Sequence, residues 1–237
     1  MLSLCNDWLF TETWFPGFAL GEGCGEAVRL PHNVRQMPLH YADHESYQMV
    51  CGYRRRLFLE ETLRGKRLFL QFDGAAHIAT VYLNGRELAV HRCGYTAFRV
   101  EITDEAILGK ENILAVKLDT TENPDIPPFG FVIDYLTYGG LYREVWLDIR
   151  ERSYMEDIYL TTPTLTRLQL KVTARTEEPC RCDAEILNAE GKLLLTHTGN
   201  TGEVIELEVP GATPWELDDP VRYTCRVRLL GEDPVRP

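Results

Sequence analysis

The stretch Asn123–Arg150, NPDIPPFGFVIDYLTYGGLYREVWLDIR, has two unlike halves. The first holds Pro124, Pro127 and Pro128. Proline fixes φ and donates no backbone hydrogen bond, so this half cannot be an interior strand and reads as a loop. The loop carries Phe129, Phe131, Tyr135 and Tyr138, with the carboxylate of Asp134 among them. Gly139 and Gly140 permit a sharp backbone turn. Beyond them Leu141, Val145, Leu147 and Ile149 alternate with Tyr142, Glu144, Trp146 and Asp148, the period of a half-buried strand. A long aromatic loop held against a rigid strand is a common seat of function. The same aromatics read equally well as a cap over a core.

Upstream, short strands follow one another. Leu57 and Leu59 alternate with charge, then Leu68, Leu70 and Phe72, then the run 77–83. Asn84-Gly85 predicts a hairpin, because a type I′ turn needs positive φ at both centres. Leu88 and Val90 return, followed by Phe98, Val100 and Ile102, and by Leu114, Val116 and Leu118. Turn signals about every ten residues predict a β-sandwich. Helix is expected only near Asp104–Leu108, where Asp104 could cap one turn. Residues 1–50 are less regular; Trp8, Phe10, Trp14 and Phe15 read as a cover over this sandwich. Downstream of a composition change at Glu151–Tyr154, strands restart at Ile158, Leu168, Cys182, Leu193, Val204 and Tyr223, with a hairpin around Asn188–Gly191. The whole chain is predicted all-β.

Its 237 residues suit two domains. A formal net charge of −11 argues against nucleic-acid binding, which needs a basic face. No apolar run approaches the roughly 18 residues of a membrane span. The start, MLSLCNDWLF, lacks a basic region, so no signal peptide is expected. Seven cysteines, an odd number, suggest reduced thiols and a cytoplasmic protein. Cys180 and Cys182 lack zinc-site spacing and read as two thiols on one strand face. His40 and His44 have a metal-compatible i, i+4 spacing but no helical stripe around them, so no metal site is expected. Gly21, Gly23 and Gly25 lack the Lys-Ser/Thr of a phosphate loop. No Gly-x-Ser-x-Gly occurs, and no Ser/His/Asp triad can be argued.

The run from Asp134 to Arg143, DYLTYGGLYR, resembles the Asp-x-x-x-x-(Ser/Ala/Gly)-Gly-(aliphatic)-x-Arg signature of glycoside hydrolase family 2. That family holds the β-galactosidases, β-glucuronidases and β-mannosidases, and Pro127 to Trp146 is most similar to the β-galactosidase branch. Leu30–Asn33 (LPHN), Gly52–Arg55 (GYRR), the run from Phe72 to Gly85, and Gly94–Phe98 (GYTAF) agree with the resemblance, in order.

The resemblance implies a jelly-roll, sugar-binding-like domain over residues 1–152. It implies an immunoglobulin-like sandwich over 153–237, with Pro214–Pro220 as its Trp-containing loop. Only Gly231–Pro237 follows the strand from Tyr223 to Leu229, so this sandwich is expected to lack its last strand, leaving an open edge near 222–230. The implied function is the N-terminal portion of a retaining β-galactosidase-like hydrolase of carbohydrate metabolism. Its two catalytic carboxyl groups, roughly 5–5.5 Å apart, would lie on a following TIM barrel of roughly 250 residues. The family's acid/base sits in an Asn-Glu pair, and no Asn-Glu dipeptide occurs here. No catalytic residue, cofactor or metal ligand is therefore expected in this chain, and the chain alone is expected to be inactive. Asp134 is the expected substrate-binding residue, reaching into the barrel's pocket, where some galactosidases also hold a cation. The expected partners are a β-galactoside-like sugar, the barrel and, for the open edge, a second copy of the chain. A stand-alone carbohydrate-binding module and a structural two-sandwich protein are the rival readings.

Overall fold

The computed structural model describes residues 1–36, 40, 43–127, 139–176 and 180–230. Asp134, Phe129, Phe131, Tyr135 and Tyr138 lie outside the described residues, as do Gly231–Pro237. The chain divides into two compact units, Met1–Ile149 and Arg150–Pro237. No helix among the described residues is long and apolar enough to cross a membrane.

The first unit is a sandwich of two sheets. One has four strands in the order β1 (Leu2–Ser3), β10 (Val145–Arg150), β5 (Arg67–Phe72), β8 (Phe98–Glu101). The other has six, in the order β3 (Glu26–Val28), β2 (Trp8–Thr11), β4 (Val50–Leu59), β9 (Lys110–Asp119), β6 (Ile78–Leu83), β7 (Arg86–Arg92). Period-two alternation sets the packing. Leu68, Leu70 and Phe72 of β5 and Val145 and Leu147 of β10 turn inward onto Tyr53, Leu57 and Leu59 of β4 and Leu114, Val116 and Leu118 of β9. Each such buried side chain contributes about 1.5–3 kcal/mol through the hydrophobic effect. Trp8 and Phe10 belong to this core, and Trp14 stacks on Tyr82 at 5.2 Å between ring centroids. The irregular N-terminal segment thus supplies β1, β2 and β3 as well as a cover.

The β6–β7 hairpin turns at Asn84 and Gly85, with φ of 54° and 83°. Asp104–Leu108 is not helical. The chain makes one turn there, closed by Ala106 N donating to Ile102 O at 2.9 Å. Buried Asn112 stops it: its Oδ1 accepts from Ile107 N and its Nδ2 donates to Ile107 O, both at 2.9 Å. That backbone is therefore unavailable to a second turn. Short 3-10 turns occur instead at Pro16–Leu20, His44–Tyr47 and Glu61–Leu63.

The second unit pairs β11 (Tyr154–Thr161), β12 (Arg167–Arg175) and β15 (Val204–Glu208) in one sheet, in that order. The other sheet runs β14 (Leu193–Asn200), β13 (Arg181–Leu187), β16 (Thr224–Leu230). Leu170, Val172, Ile205 and Leu207 share a core with Cys182, Ala184 and Ile186. This is a small immunoglobulin-like sandwich. Cys180 lies just before β13, its Sγ 3.5 Å from Thr201 Oγ1. All seven cysteines are free.

Two stability predictions follow from these contacts. Asn112 also accepts from Asn84 Nδ2 and donates to Lys110 O, so it ties the hairpin to the Ile107–Lys110 turn. Asn112→Ala is expected to cost about 2–3 kcal/mol by chemical denaturation, because it strands buried backbone groups. Among the described residues β16 pairs with β13 alone. Its amides that do not bond β13 are expected to exchange with deuterium faster than those of β13, which is paired on both sides.

Candidate functional site

Gly139–Leu141 directly follow the undescribed residues 128–138, and three backbones meet there. His32 N donates to Leu141 O at 2.8 Å, and Val34 N to Gly139 O at 2.9 Å. On the other side Ala76 N donates to Gly140 O at 3.1 Å, and Gly140 N to Ala76 O at 3.2 Å. Such close approach needs glycine. A Cβ on Gly140 would stand 2.3 Å from His32 O, at a φ of 136°. A Cβ on Gly139 would stand 2.6 Å from Thr120 Cγ2.

A hydrogen-bonded pair of side chains, Tyr53 and His32, packs against this turn. The hydroxyl of fully buried Tyr53 lies beside it, 3.1 Å from where a Cβ on Gly140 would stand. Burial pushes the Tyr53 phenol well above its usual value, so the hydroxyl keeps its proton. Its one partner among the described residues is His32 Nδ1, 2.8 Å away, and a buried hydroxyl proton needs an acceptor, so it points there. Burial also lowers His32 from its usual value, which keeps the ring neutral. A neutral imidazole accepting at Nδ1 carries its proton on Nε2.

A second histidine lies on the other flank. His77 begins the β6 segment and is 5% exposed. Its Nδ1 is 3.2 Å from Thr120 O, and a carbonyl only accepts, so Nδ1 carries the proton. Its Nε2 has no partner among the described residues. Thr120 Oγ1 in turn accepts from Met49 N at 3.0 Å and donates to Tyr47 O, fastening the 47–49 segment to the end of β9.

The start of β10 is fixed from a third side. Trp146 Nε1 donates to Asp73 Oδ2 at 2.8 Å, and the Tyr142 hydroxyl donates to Gly94 O. Arg143 reaches the carbonyls of Asp73 and Tyr95 at 3.4 and 3.5 Å. The five dispersed runs LPHN, GYRR, the run from Phe72, GYTAF and GGLYR therefore converge on one turn. Sequence reasoning found the runs but assigned no role to His32, Tyr53 or His77. Asp134, the predicted substrate ligand, lies outside the described residues. So does the side chain of His44; among the described residues no three His, Cys, Asp or Glu side chains gather as a metal site.

The glycine-rich segment has its own answer. Arg54 donates to Phe18 O at 3.3 Å, Glu22 O at 2.6 Å and Gly23 O at 2.9 Å, and lies 4.3 Å above the Phe18 ring. Carbonyls point inward at a cation, whereas a phosphate loop points its N–H groups at an anion.

Residues 29–150 match the sugar binding domain of the glycosyl hydrolases family 2. The chain belongs to glycoside hydrolase family 2. It is 31% identical over 250 residues to a β-galactosidase of Thermoanaerobacter pseudethanolicus, covering 99% of this chain and 34% of that protein. It is 38% identical over 165 residues to a β-galactosidase of Thermoanaerobacterium thermosulfurigenes, covering 68% of this chain and 23% of that one. A β-glucuronidase of Bacteroides fragilis is 32% identical over 159 residues, covering 67% of this chain and 23% of that protein. The family 2 chain thus spans about a third or less of the length of these curated relatives. In fold it is similar to the β-glucuronidase of Bifidobacterium dentium solved with coumarin-3-O-glucuronide. That match has a TM-score of 0.82 and 22% identity, over 98% of this chain and 45% of that one.

The family 2 turn also sets a pH dependence. His32, His77 and His91 are all held below the usual 6.5, each mainly by burial. Unfolded, they take up protons near pH 6.5 while the folded chain resists. Their contribution to stability is therefore complete above about pH 6.5 and is lost as the pH falls below it. Chemical denaturation at a series of pH values should show this loss, and His77→Gln should make it shallower by removing one of the three titrations.

Proposed function

We propose that this chain is the N-terminal, non-catalytic portion of a retaining β-galactosidase-like glycoside hydrolase. In this reading it shapes the substrate pocket of a catalytic barrel belonging to the parent protein. The observation that carries the reading is the convergence of five separated runs on Gly139–Arg143, the stretch immediately after Asp134's segment in sequence. So much backbone pairing at one turn makes it a rigid base, and rigid bases are what precise ligand contacts need. The similarity to two β-galactosidases supports the choice of glycoside. A uronide-acting parent is the second reading, favoured by the similarity to the Bacteroides fragilis β-glucuronidase.

Asp134 is the residue to test. A carboxylate is acceptor-only and receives two hydroxyl donors at once. Each lost charge-assisted bond costs about 1.5–3 kcal/mol. In the parent enzyme, Asp134→Ala is expected to lower kcat/KM for an aryl β-galactoside at least about tenfold. The melting temperature of the 237-residue chain should stay nearly unchanged. An unchanged kcat/KM would remove the substrate role. Lost stability, with activity falling only as far as folding does, would make Asp134 a loop staple. Comparing aryl β-galactoside with aryl β-glucuronide in the same assay decides between the two glycosides. The 237-residue chain alone is expected to turn over neither.

A further inference from the structure

A cleft of about 820 Å³ opens beside the Gly139–Leu141 turn, lined by residues of β2 and of the edge strand β3 and by the segment Pro31–Gln36. That segment is bonded to the turn through His32 N and Val34 N. Phe10 forms part of the lining and is itself 5% exposed, with its ring 5.0 Å from that of His32. Pro31 and Val34 add apolar surface, and the other lining residues are polar. Glu26 stands opposite Phe10 in the β2–β3 ladder. Glu12 holds Arg35 in a two-pronged pair at 2.5 and 3.0 Å, and the amides of Asn33 and Gln36 complete the lining. His32 contributes a donor, since the buried Tyr53 hydroxyl donating to Nδ1 leaves the ring proton on Nε2. No hydrogen bond from Nε2 is made among the described residues.

Donors and acceptors are thus interleaved around one cavity: His32 and Arg35 donate, Glu12 and Glu26 accept, and Asn33 and Gln36 do both. Hydroxyl groups, which donate and accept at once, are the ligand groups that match such a lining. An anion does not match it, because two carboxylates face one guanidinium. The volume lies within the range of small-ligand clefts and exceeds what one pyranose ring needs. We propose that this cleft is a second saccharide-binding site, taking a neutral sugar of one or two rings through His32 Nε2, Glu26, Asn33 and Gln36. It rests on the reading of this unit as a sugar-handling domain and is independent of Asp134. Because His32 N donates to Leu141 O, occupancy of the cleft bears on the Gly139–Leu141 turn.

Nuclear magnetic resonance on the 237-residue chain tests this, with lactose and glucuronate as probes at about 50 mM, a range suited to millimolar affinity. The imidazole nitrogens of His32 are expected to show the Nε2-protonated tautomer. Lactose should shift the His32 ring and the side-chain amides of Asn33 and Gln36, and glucuronate should not. Glu26→Gln and Asn33→Ala should each weaken lactose at least about threefold without changing the melting temperature. Asp134→Ala should leave these shifts intact. No shift at these signals, equal shifts with glucuronate, or undiminished binding in both cleft variants overturns the cleft. Shifts that vanish in Asp134→Ala would place the sugar on the loop instead, which overturns the cleft while sparing the proposed role of Asp134.

Discussion

The jelly-roll unit depends on how closely three backbones pass at Gly139–Leu141. Gly140 bonds Ala76 in both directions while its Cα faces His32 O, at a distance no side chain tolerates. A methyl group at Gly140 would meet a backbone atom, and no rotamer change relieves that clash. A methyl at Gly139 would press on Thr120, the residue that also fastens Tyr47 and Met49 to β9. One turn therefore sets the spacing between the 30–34 segment, the start of β6 and the start of β10. Everything that reads as a family motif in this unit forms that turn, bonds to it, or, as Tyr53 does through His32, bonds to a residue that does.

This explains why the fold was legible and the site only partly so. Strand periodicity is local, and it located the inward residues of β4, β5, β9 and β10 without any tertiary knowledge. Asn84-Gly85 announced its hairpin by the same local chemistry. β1, β2 and β3 escaped because two to four residues are too few to show a period. The Asp104–Leu108 helix failed because a competing side chain, Asn112, arrives from the next strand to take the backbone groups a second turn needs. Local capping signals carry no information about such a competitor.

The site was visible as motifs but not as chemistry. His32 reads in sequence as one residue of an LPHN run; its tautomer is decided by Tyr53, which lies 21 residues away. The buried acceptor of His77 is likewise set by Thr120, a partner 43 residues on. Spacing cannot show which ring nitrogen holds a proton. Partners from distant strands determine that, and therefore what the group offers a ligand.

A different signal was available and points to how the irregular segments are held. Asn112 falls in phase with Leu114, Val116 and Leu118 on the inward face of β9, and a polar residue in an apolar phase has to find buried partners. It finds the backbone of the Ile107–Lys110 turn. Arg54 is the counterpart on β4, out of phase with Tyr53 and Leu57 yet buried, because the Pro16–Gly23 segment folds over it. Long loops in a sandwich cannot join a ladder, so their backbone groups must be paired some other way. One buried polar side chain per loop satisfies that need: Arg54 for carbonyls, Asn112 for both kinds of group, Thr120 for the segment before β4. The alternation that builds the sheets thus also marks Asn112, the polar residue in an apolar phase, whereas Arg54 sits where the pattern already expects a polar residue and only the folded segment buries it.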